Sequence, residues 1–304
     1  MSAQPRQLAA RVEARPILED ITVVIPTLGR PILGESLSWL VAGSAWPGAV
    51  IIVDQGARPD VAAWVERLQI LGLIAQHLPS IQRGRSAGVN RGLERVRTRF
   101  VAVTDDDCFV TADWLQGMTG HLRRWPEAII TGRVEAAGDD AVEFCAVTST
   151  TPTVYRRPQL RVHPLIGGNM GVSIATVERI GLFDEHPSLR SAEDSDWGYR
   201  ALRLGIPIAY MPEVAVRHYD WRTPGQRAAR YREYARSQGG FYGKYLFSGD
   251  WLIPLQAGRD LVRGPIRWLR GLAQGDQDMI ARGRADALDL LPGIIAGLQR
   301  GRPR

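Results

Sequence analysis

The chain has 304 residues, 45% of them hydrophobic and 23% charged, enough apolar material for one large domain or a domain with an appendage. Its two cysteines, Cys108 and Cys145, lack CxxC spacing, which argues against a disulfide framework or a structural zinc site and fits a reducing cytoplasm. The net charge of +6 is uneven, because 16 Lys and Arg stand against 8 Asp and Glu from Val216 onward while the first 215 residues balance at −2.

Residues 1–20 form a polar arm with Arg6, Arg11 and Arg15 and no apolar core segment, unlike a secretory signal. No later stretch reaches the ~18 uninterrupted apolar residues of a spanning helix. An apolar run over 21–26 predicts a buried strand stopped by Pro26, and Pro31 opens a helix through 42. A second buried strand covers 50–54 and ends on Asp54, followed by the turn Gln55-Gly56 and a helix over 59–71. A weaker strand over 73–78 and an Arg-faced helix over 84–96 lead to a third buried run, Phe100-Val101-Ala102-Val103. Strands alternating with helices predict βαβ units and a parallel sheet.

That third run ends in Asp105-Asp106-Asp107. Ligands of open α/β sheets sit beyond the carboxyl ends of strands, so these acids stand where a site is expected. If the backbone stays extended, Asp105 and Asp107 project to one side and Asp106 to the other. Two carboxylates on one side call for a cation, and oxygen ligation points to Mg²⁺ or Mn²⁺ rather than zinc. A plain solvated turn is the alternative. An EF-hand loop is excluded, because Phe109 stands where its third ligand would be and the required glycine is missing.

A helix over 111–124 and strands over 129–134 and 142–148 follow without βαβ rhythm. Ile166-Gly167-Gly168-Asn169-Met170-Gly171 reads as a loop, either a turn or a place where backbone closely approaches a ligand. After a short helix over 175–180, Ser191-Ala192-Glu193-Asp194-Ser195-Asp196 opens a helix that ends at Gly205. Ser191 and Asp194 have capping-box spacing, which accounts for some acid there, so three acids in four positions read either as a capped, dipole-favoured first turn or as a catalytic group. Residues 207–218 read as strand, a turn at Pro212, and strand, with His218 at the end.

Taken in order, Val23-Val24-Ile25-Pro26-Thr27, Ile51-Ile52-Val53-Asp54, Gly84-Arg85-Ser86-Ala87-Gly88-Val89-Asn90, Thr104-Asp105-Asp106-Asp107, Gly168-Asn169-Met170, Gly181-Leu182-Phe183-Asp184 and Ala192-Glu193-Asp194-Ser195-Asp196 resemble family 2 glycosyltransferases of the GT-A fold. The resemblance covers roughly two-thirds of the chain. It implies an α/β fold with a mostly parallel central sheet flanked by helices. It implies a catalytic domain over 21–220, with a nucleotide-binding half over 21–110 and an acceptor-binding half over 111–220. The implied reaction transfers a sugar, with inversion, from a nucleoside-diphosphate sugar to a hydroxyl of a glycan or lipid-linked acceptor, as in cell-envelope polysaccharide or glycolipid synthesis. Pro26, Thr27, Arg30, Asp54, Arg85, Asn90, Asp105 and Asp106 would bind the nucleotide sugar, and Asp107, Asp105 and His218 would hold Mn²⁺ or Mg²⁺. Asp194 would be the catalytic base with Glu193 beside it, and Gly168, Asn169, Met170 and Trp197 would contact the sugar or acceptor. Gln55-Gly56-Ala57 departs from the Ser or Thr that the family often places after the second-strand Asp, which touches the details of base contact.

Residues 221–304 form a helical extension. Arg227, Arg230, Arg232 and Arg236 mark a basic helix up to Gly239-Gly240. Leu252, Leu255, Val262, Ile266 and Leu269 fall at helical spacing beside a stripe of Arg259, Arg263 and Arg267, and 279–298 carry a third apolar pattern broken by Pro292. These helices either pack on the catalytic domain or lie on an anionic membrane at its cytoplasmic face. Nothing in them resembles a nucleic-acid module. Two other functions stay in view. A sugar-nucleotide-forming nucleotidyltransferase would favour lysines near phosphates, whereas the one lysine here is Lys244, and a non-catalytic glycan- or nucleotide-binding relative would not need Asp105, Asp107 and Asp194.

Overall fold

The computed structural model describes residues 15–137, 146–160, 165–220 and 223–300. Contacts divide the chain into two compact units. The first gathers Met1–Arg156, Pro164–Leu182 and Ile206–Asp220, and the second gathers Arg157–His163, Phe183–Gly205 and Trp221–Arg304.

The first unit is built on a nine-stranded sheet. In chain order its elements are β1 (Ile17–Thr27), α1 (Leu33–Ala42), β2 (Trp46–Asp54), α2 (Pro59–Ile70), β3 (Ala75–Pro79), α3 (Arg85–Leu93), β4 (Phe100–Thr104), β5 (Cys108–Val110), α4 (Trp114–Arg124), β6 (Ile129–Ala137), β7 (Thr153–Tyr155), β8 (Asn169–Ser173), α5 (Ile174–Ile180) and β9 (Ile208–Tyr219). The strand order is β3-β2-β1-β4-β8-β6-β9-β5, with β7 paired to β9. β3, β2, β1 and β4 are parallel, and β8 joins β4 antiparallel.

Period-two alternation sets the two faces of the parallel half. Ile21, Val23 and Ile25 of β1 meet a cluster built from Leu33, Leu37 and Leu40 of α1, Val61 and Val65 of α2, and Trp114, Met118 and Leu122 of α4. Val24, on the opposite face, lies under α3, where Gly92 leaves no room for a side chain. Burial on both faces explains why these strands read as nearly continuous apolar runs.

Two expectations for this unit change, and a third falls largely outside the described residues. The glycine-bearing stretch 166–171 is a loop only up to Gly168, since Asn169–Ser173 is a fully buried central strand. Asn169 tolerates that place because strand and helix neighbours satisfy its side chain, as described below. Pro212 does not divide two strands. β9 runs through it, and the register against β6 jumps from Gly132↔Met211 to Val134↔Val216, so the proline sits in a bulge that asks no ladder hydrogen bond of it. The strand expected over 142–148 lies partly outside the described residues, as does Cys145, and Val147 makes only an isolated bridge to Val134.

The second unit contains α6 (Glu193–Arg203), α7 (Pro224–Tyr245), α8 (Leu252–Gln274) and α9 (Gln277–Gln299). Its core joins Leu189, Ala192, Tyr199, Phe241, Tyr242, Tyr245, Ile253, Leu290 and Ile294. α7 does not stop at Gly239-Gly240, and α9 is not broken by Pro292. A Cβ at Gly239 or Gly243 would collide with the backbone of α9, and one at Gly293 or Gly297 with the backbone of α7. The two helices therefore touch backbone to backbone, and this packing outweighs the weak intrinsic helicity of the glycines and the lost bond at the proline.

Candidate active site

In the parallel half, the strand ends assemble one group of side chains. Thr27 and Asp54 are register partners at the ends of β1 and β2, and Val24 pairs with Val103 near the end of β4. β2 and β3 lie to one side of β1 and β4 to the other, so the gap beyond β1 and β4 is a topological switch point. Asp106 stands there. Its carboxylate accepts a 2.6 Å hydrogen bond from Thr27 Oγ1 and a 2.6 Å charged bond from Arg30. Burial pushes its pKa up to about 6, with Asp107 and Asp105 adding to the rise and Arg30 opposing it.

The flanking acids diverge from it. Asp105, partly exposed, accepts from Arg85 Nε at 2.9 Å. Arg85 opens α3 behind Gly84, whose φ of 119° few other residues would adopt. Asp107 is buried, with Oδ1 3.7 Å from His218 Nε2, and the backbone fixes that meeting because Cys108 and His218 are register partners of β5 and β9. Ligand atoms of Asp105, Asp107 and Cys108 all lie within 4.8 Å of one another. Burial pushes the Cys108 thiol well above its usual range, so the carboxylates are the donors that suit a hard cation.

Gly167 and Gly168 close over this group. A Cβ on Gly168 would lie 2.7 Å from Asp105 Oδ2, and one on Gly167 would lie 2.6 Å from the Arg85 guanidinium. Asn169 is wholly buried and holds three elements together. It donates to the Arg133 and Val214 carbonyls of β6 and β9 and accepts from Trp114 Nε1 of α4. Met170 is buried beside it in β8. Asp54 accepts from the backbone N–H groups of Gly56 and Arg58 and meets His77 Nε2 at 3.1 Å. Asn90 is buried on α3, where a Cβ on Gly88 would come within 2.8 Å of Pro26.

Sequence reasoning missed three participants. His77 pairs with Asp54 from β3, and Gln55 donates to the carbonyls of Gln82 and Gly84, shaping the loop before α3. Trp114 anchors Asn169. The sequence marks Gln55 as a turn residue and as a departure from the family pattern, and no local signal marks the other two.

Glu193, Asp194 and Trp197 belong to the second unit. The capping box expected from Ser191 does not form. Ala192 is the N-cap residue without a side-chain bond, and Ser191 Oγ donates to Glu233 instead. Glu193 and Asp196 are buried, and Asp194 alone among the three acids of this turn is partly exposed. Its Oδ1 accepts from the Ser195 N–H at 2.7 Å. Asp196 accepts from Tyr245, Arg200 and Lys244. Trp197 has no exposed surface and stacks on Phe183 with ring centroids 4.8 Å apart.

The family model described as Glycosyl transferase family 2 matches residues 22–184. Among solved structures, the chain is similar to mannosyltransferase PcManGT from Pyrobaculum calidifontis in complex with GDP-Man and Mn²⁺, at 17% identity and a TM-score of 0.61, covering 95% of this chain and 90% of that one. It is also similar to residues 1–349 of S. aureus TarS in complex with UDP, at 15% identity and a TM-score of 0.54, covering 88% of this chain and 90% of that one. No curated protein sequence matches the chain significantly. A family match over more than half the chain, on a GT-A-type sheet carrying paired carboxylates at its switch point, makes this protein a glycosyltransferase belonging to glycosyl transferase family 2.

Proposed function

We propose that the protein transfers a sugar, with inversion, from a nucleoside-diphosphate sugar to a hydroxyl of a glycan or lipid-linked acceptor in cell-envelope polysaccharide or glycolipid synthesis, working peripherally at a membrane. The observation that carries the donor class is the pair Asp105 and Asp107, two carboxylates held within ligand distance at the strand ends. The similar solved structures hold GDP-Man with Mn²⁺ and UDP, which supports a nucleotide-sugar donor.

In this reading Asp107 and Asp105, with His218 at their side, hold Mn²⁺ or Mg²⁺. A divalent cation in that place supplies positive charge for a leaving diphosphate. Pro26, Thr27, Arg30, Asp54, Arg85 and Asn90 surround the nucleotide. Arg30 and Arg85 keep cationic groups at the strand ends, and Thr27 fixes Asp106 so that Arg30 stays in place. Gly168, Asn169 and Met170 shape the sugar side, Gly168 through its bare backbone. Asp194 takes the proton of the acceptor hydroxyl as that oxygen attacks the anomeric carbon, and the diphosphate departs from the opposite face. Glu193 and Trp197, both buried, set the turn that presents Asp194.

Two measurements test this reading. A panel of nucleotide sugars incubated with Mn²⁺ is expected to yield slow release of nucleoside diphosphate from one donor, lost on chelation and restored by Mn²⁺ or Mg²⁺. Asp194→Asn is expected to lower transfer by roughly 10²–10⁴-fold while nucleotide affinity holds. Full turnover in that variant would remove Asp194 from its role, and a protein indifferent to every donor would end the reading.

A further inference from the structure

α8 turns its apolar side away from its own unit. Ile253, Ala257, Gly264 and Gly271 are buried on one side of the helix. At 3.6 residues per turn, the opposite side carries Trp251, Leu255, Val262, Ile266 and Leu269, which are 70%, 46%, 60%, 43% and 65% exposed. The positions between them, Gly258, Pro265 and Ala273, are exposed and uncharged as well. α9 repeats the arrangement in its second half, where Leu288, Leu291 and Ile295 are half exposed at helical spacing. A helix packed on a protein core ordinarily points such a stripe inward, and an outward stripe of this length marks an interaction surface.

The charges beside the stripe identify what it meets. Arg263 and Arg270 are exposed along one edge of the apolar face, and Arg259 lies in the same row, bonded to Asp260 and to the Leu160 carbonyl. Asp260 is the one acid of α8, and it is engaged by Tyr242 and Arg259. Among the described residues, the outward side of α8 therefore offers apolar groups and positive charge and no free carboxylate. A second copy seated with α8 against α8 would set Arg263 and Arg270 against arginines, with no acid of that helix left to meet them, because Asp260 is already engaged. Anionic phospholipid headgroups supply the missing charge, and their acyl boundary takes the apolar groups. Among the described residues no helix is long and apolar enough to cross a membrane, so this surface would lie along one.

We infer that the outward face of α8, Trp251 through Leu269 with Arg263 and Arg270 at its rim, is the surface by which this enzyme lies on an anionic lipid bilayer. This deepens the proposed function, on which it rests for its purpose, the capture of a lipid-linked acceptor.

Flotation of the full chain with vesicles tests it, comparing pure phosphatidylcholine with phosphatidylcholine containing about one-third phosphatidylglycerol. The protein is expected to float with the anionic vesicles at low salt and much less at high salt. V262E/L269E is expected to weaken partitioning at least about a hundredfold, since two apolar groups are replaced by anions, and R263Q/R270Q by roughly thirtyfold. Because both pairs are exposed, release of nucleoside diphosphate from a soluble donor should be unchanged in them. Failure of the parent to float at low salt, or flotation of V262E/L269E equal to the parent, overturns the inference. So does a stable dimer in light scattering that V262E/L269E dissociates, which would assign the face to a second copy. A protein that floats yet releases nothing from any donor sinks the proposed transfer reaction and leaves this inference standing, and one that turns donors over without floating sinks this inference and leaves the transfer reaction standing.

Discussion

Gly168 is held to a bare backbone by its neighbour. A methyl group there would stand 2.7 Å from Asp105 Oδ2, and Asp105 is already fixed by Arg85 at 2.9 Å. Gly168 is buried at the end of the loop before β8, and the strain of Gly168→Ala would be relieved by moving the Asp105 carboxylate, which is the nearest group and is partly exposed. The variant is expected to bind nucleotide with Mn²⁺ at least about tenfold more weakly, because charge-assisted contacts contribute roughly 1.5–3 kcal/mol each. Its melting temperature should stay close to that of the parent. Calorimetric titration beside a thermal melt checks both, and undiminished nucleotide affinity would show that Gly168 is not needed there. The acids themselves were legible, because apolar runs ending in Asp54 and Asp105 place them at strand ends. Asn169 was harder to read. A Gly-Gly-Asn stretch looks like a turn, and only the donors and acceptors of β6, β9 and α4, distant in sequence, let a buried amide open a central strand.

At the scale of an element, α6 depends on a lysine far from it in sequence. Lys244, the one lysine of the chain, is mostly buried and donates to Asp184 at 2.9 Å and to the fully buried Asp196. Removing Lys244 leaves Asp196 with Arg200 and Asp184 with Arg300 as their remaining cations. Lys244→Met is therefore expected to lower stability by about 1.5–3 kcal/mol, seen as an earlier midpoint in urea. Asp184 adds a pH signature. Burial alone would raise its pKa, but the bonds from Lys244, the His186 N–H and Arg300 outweigh that and hold it down to about 2. Its folded pKa lies below the unfolded value of 3.8, so its stabilisation is complete above that value and is lost as pH falls through about 2. Acid melts of Asp184→Asn should lack this part of the decline, and parallel curves for variant and parent would refute the assignment. The helix itself was legible from Glu193 to Gly205. The cap was not, because Ser191 has a better partner in Glu233 of α7, which local spacing does not reveal.

Over the whole molecule, the sequence suggests a catalytic domain followed by an appendage, yet residues 183–205, with Asp194 among them, share a compact unit with the C-terminal helices. The basic composition of the tail gave no sign of this. Gly239-Gly240 and Pro292 read as breaks, because local propensity cannot register a second helix lying against them. In the fold, Gly293 faces the backbone of Arg236, and any side chain there must push α7 and α9 apart. Those two helices supply Phe241, Tyr242, Tyr245, Leu290 and Ile294 to the core beneath α6, while Asp105, Asp107 and Arg85 belong to the other unit. Gly293→Leu should therefore separate two functions that an ordinary destabilising change would lose together. Transfer is expected to fall at least tenfold, since small misplacements of catalytic groups cost about that much or more. Nucleotide affinity with Mn²⁺ is expected to stay within about twofold, because no nucleotide-binding candidate lies in the disturbed unit. If affinity falls in step with turnover, the second unit is needed for donor binding, and its role is not confined to carrying Asp194, the proposed base.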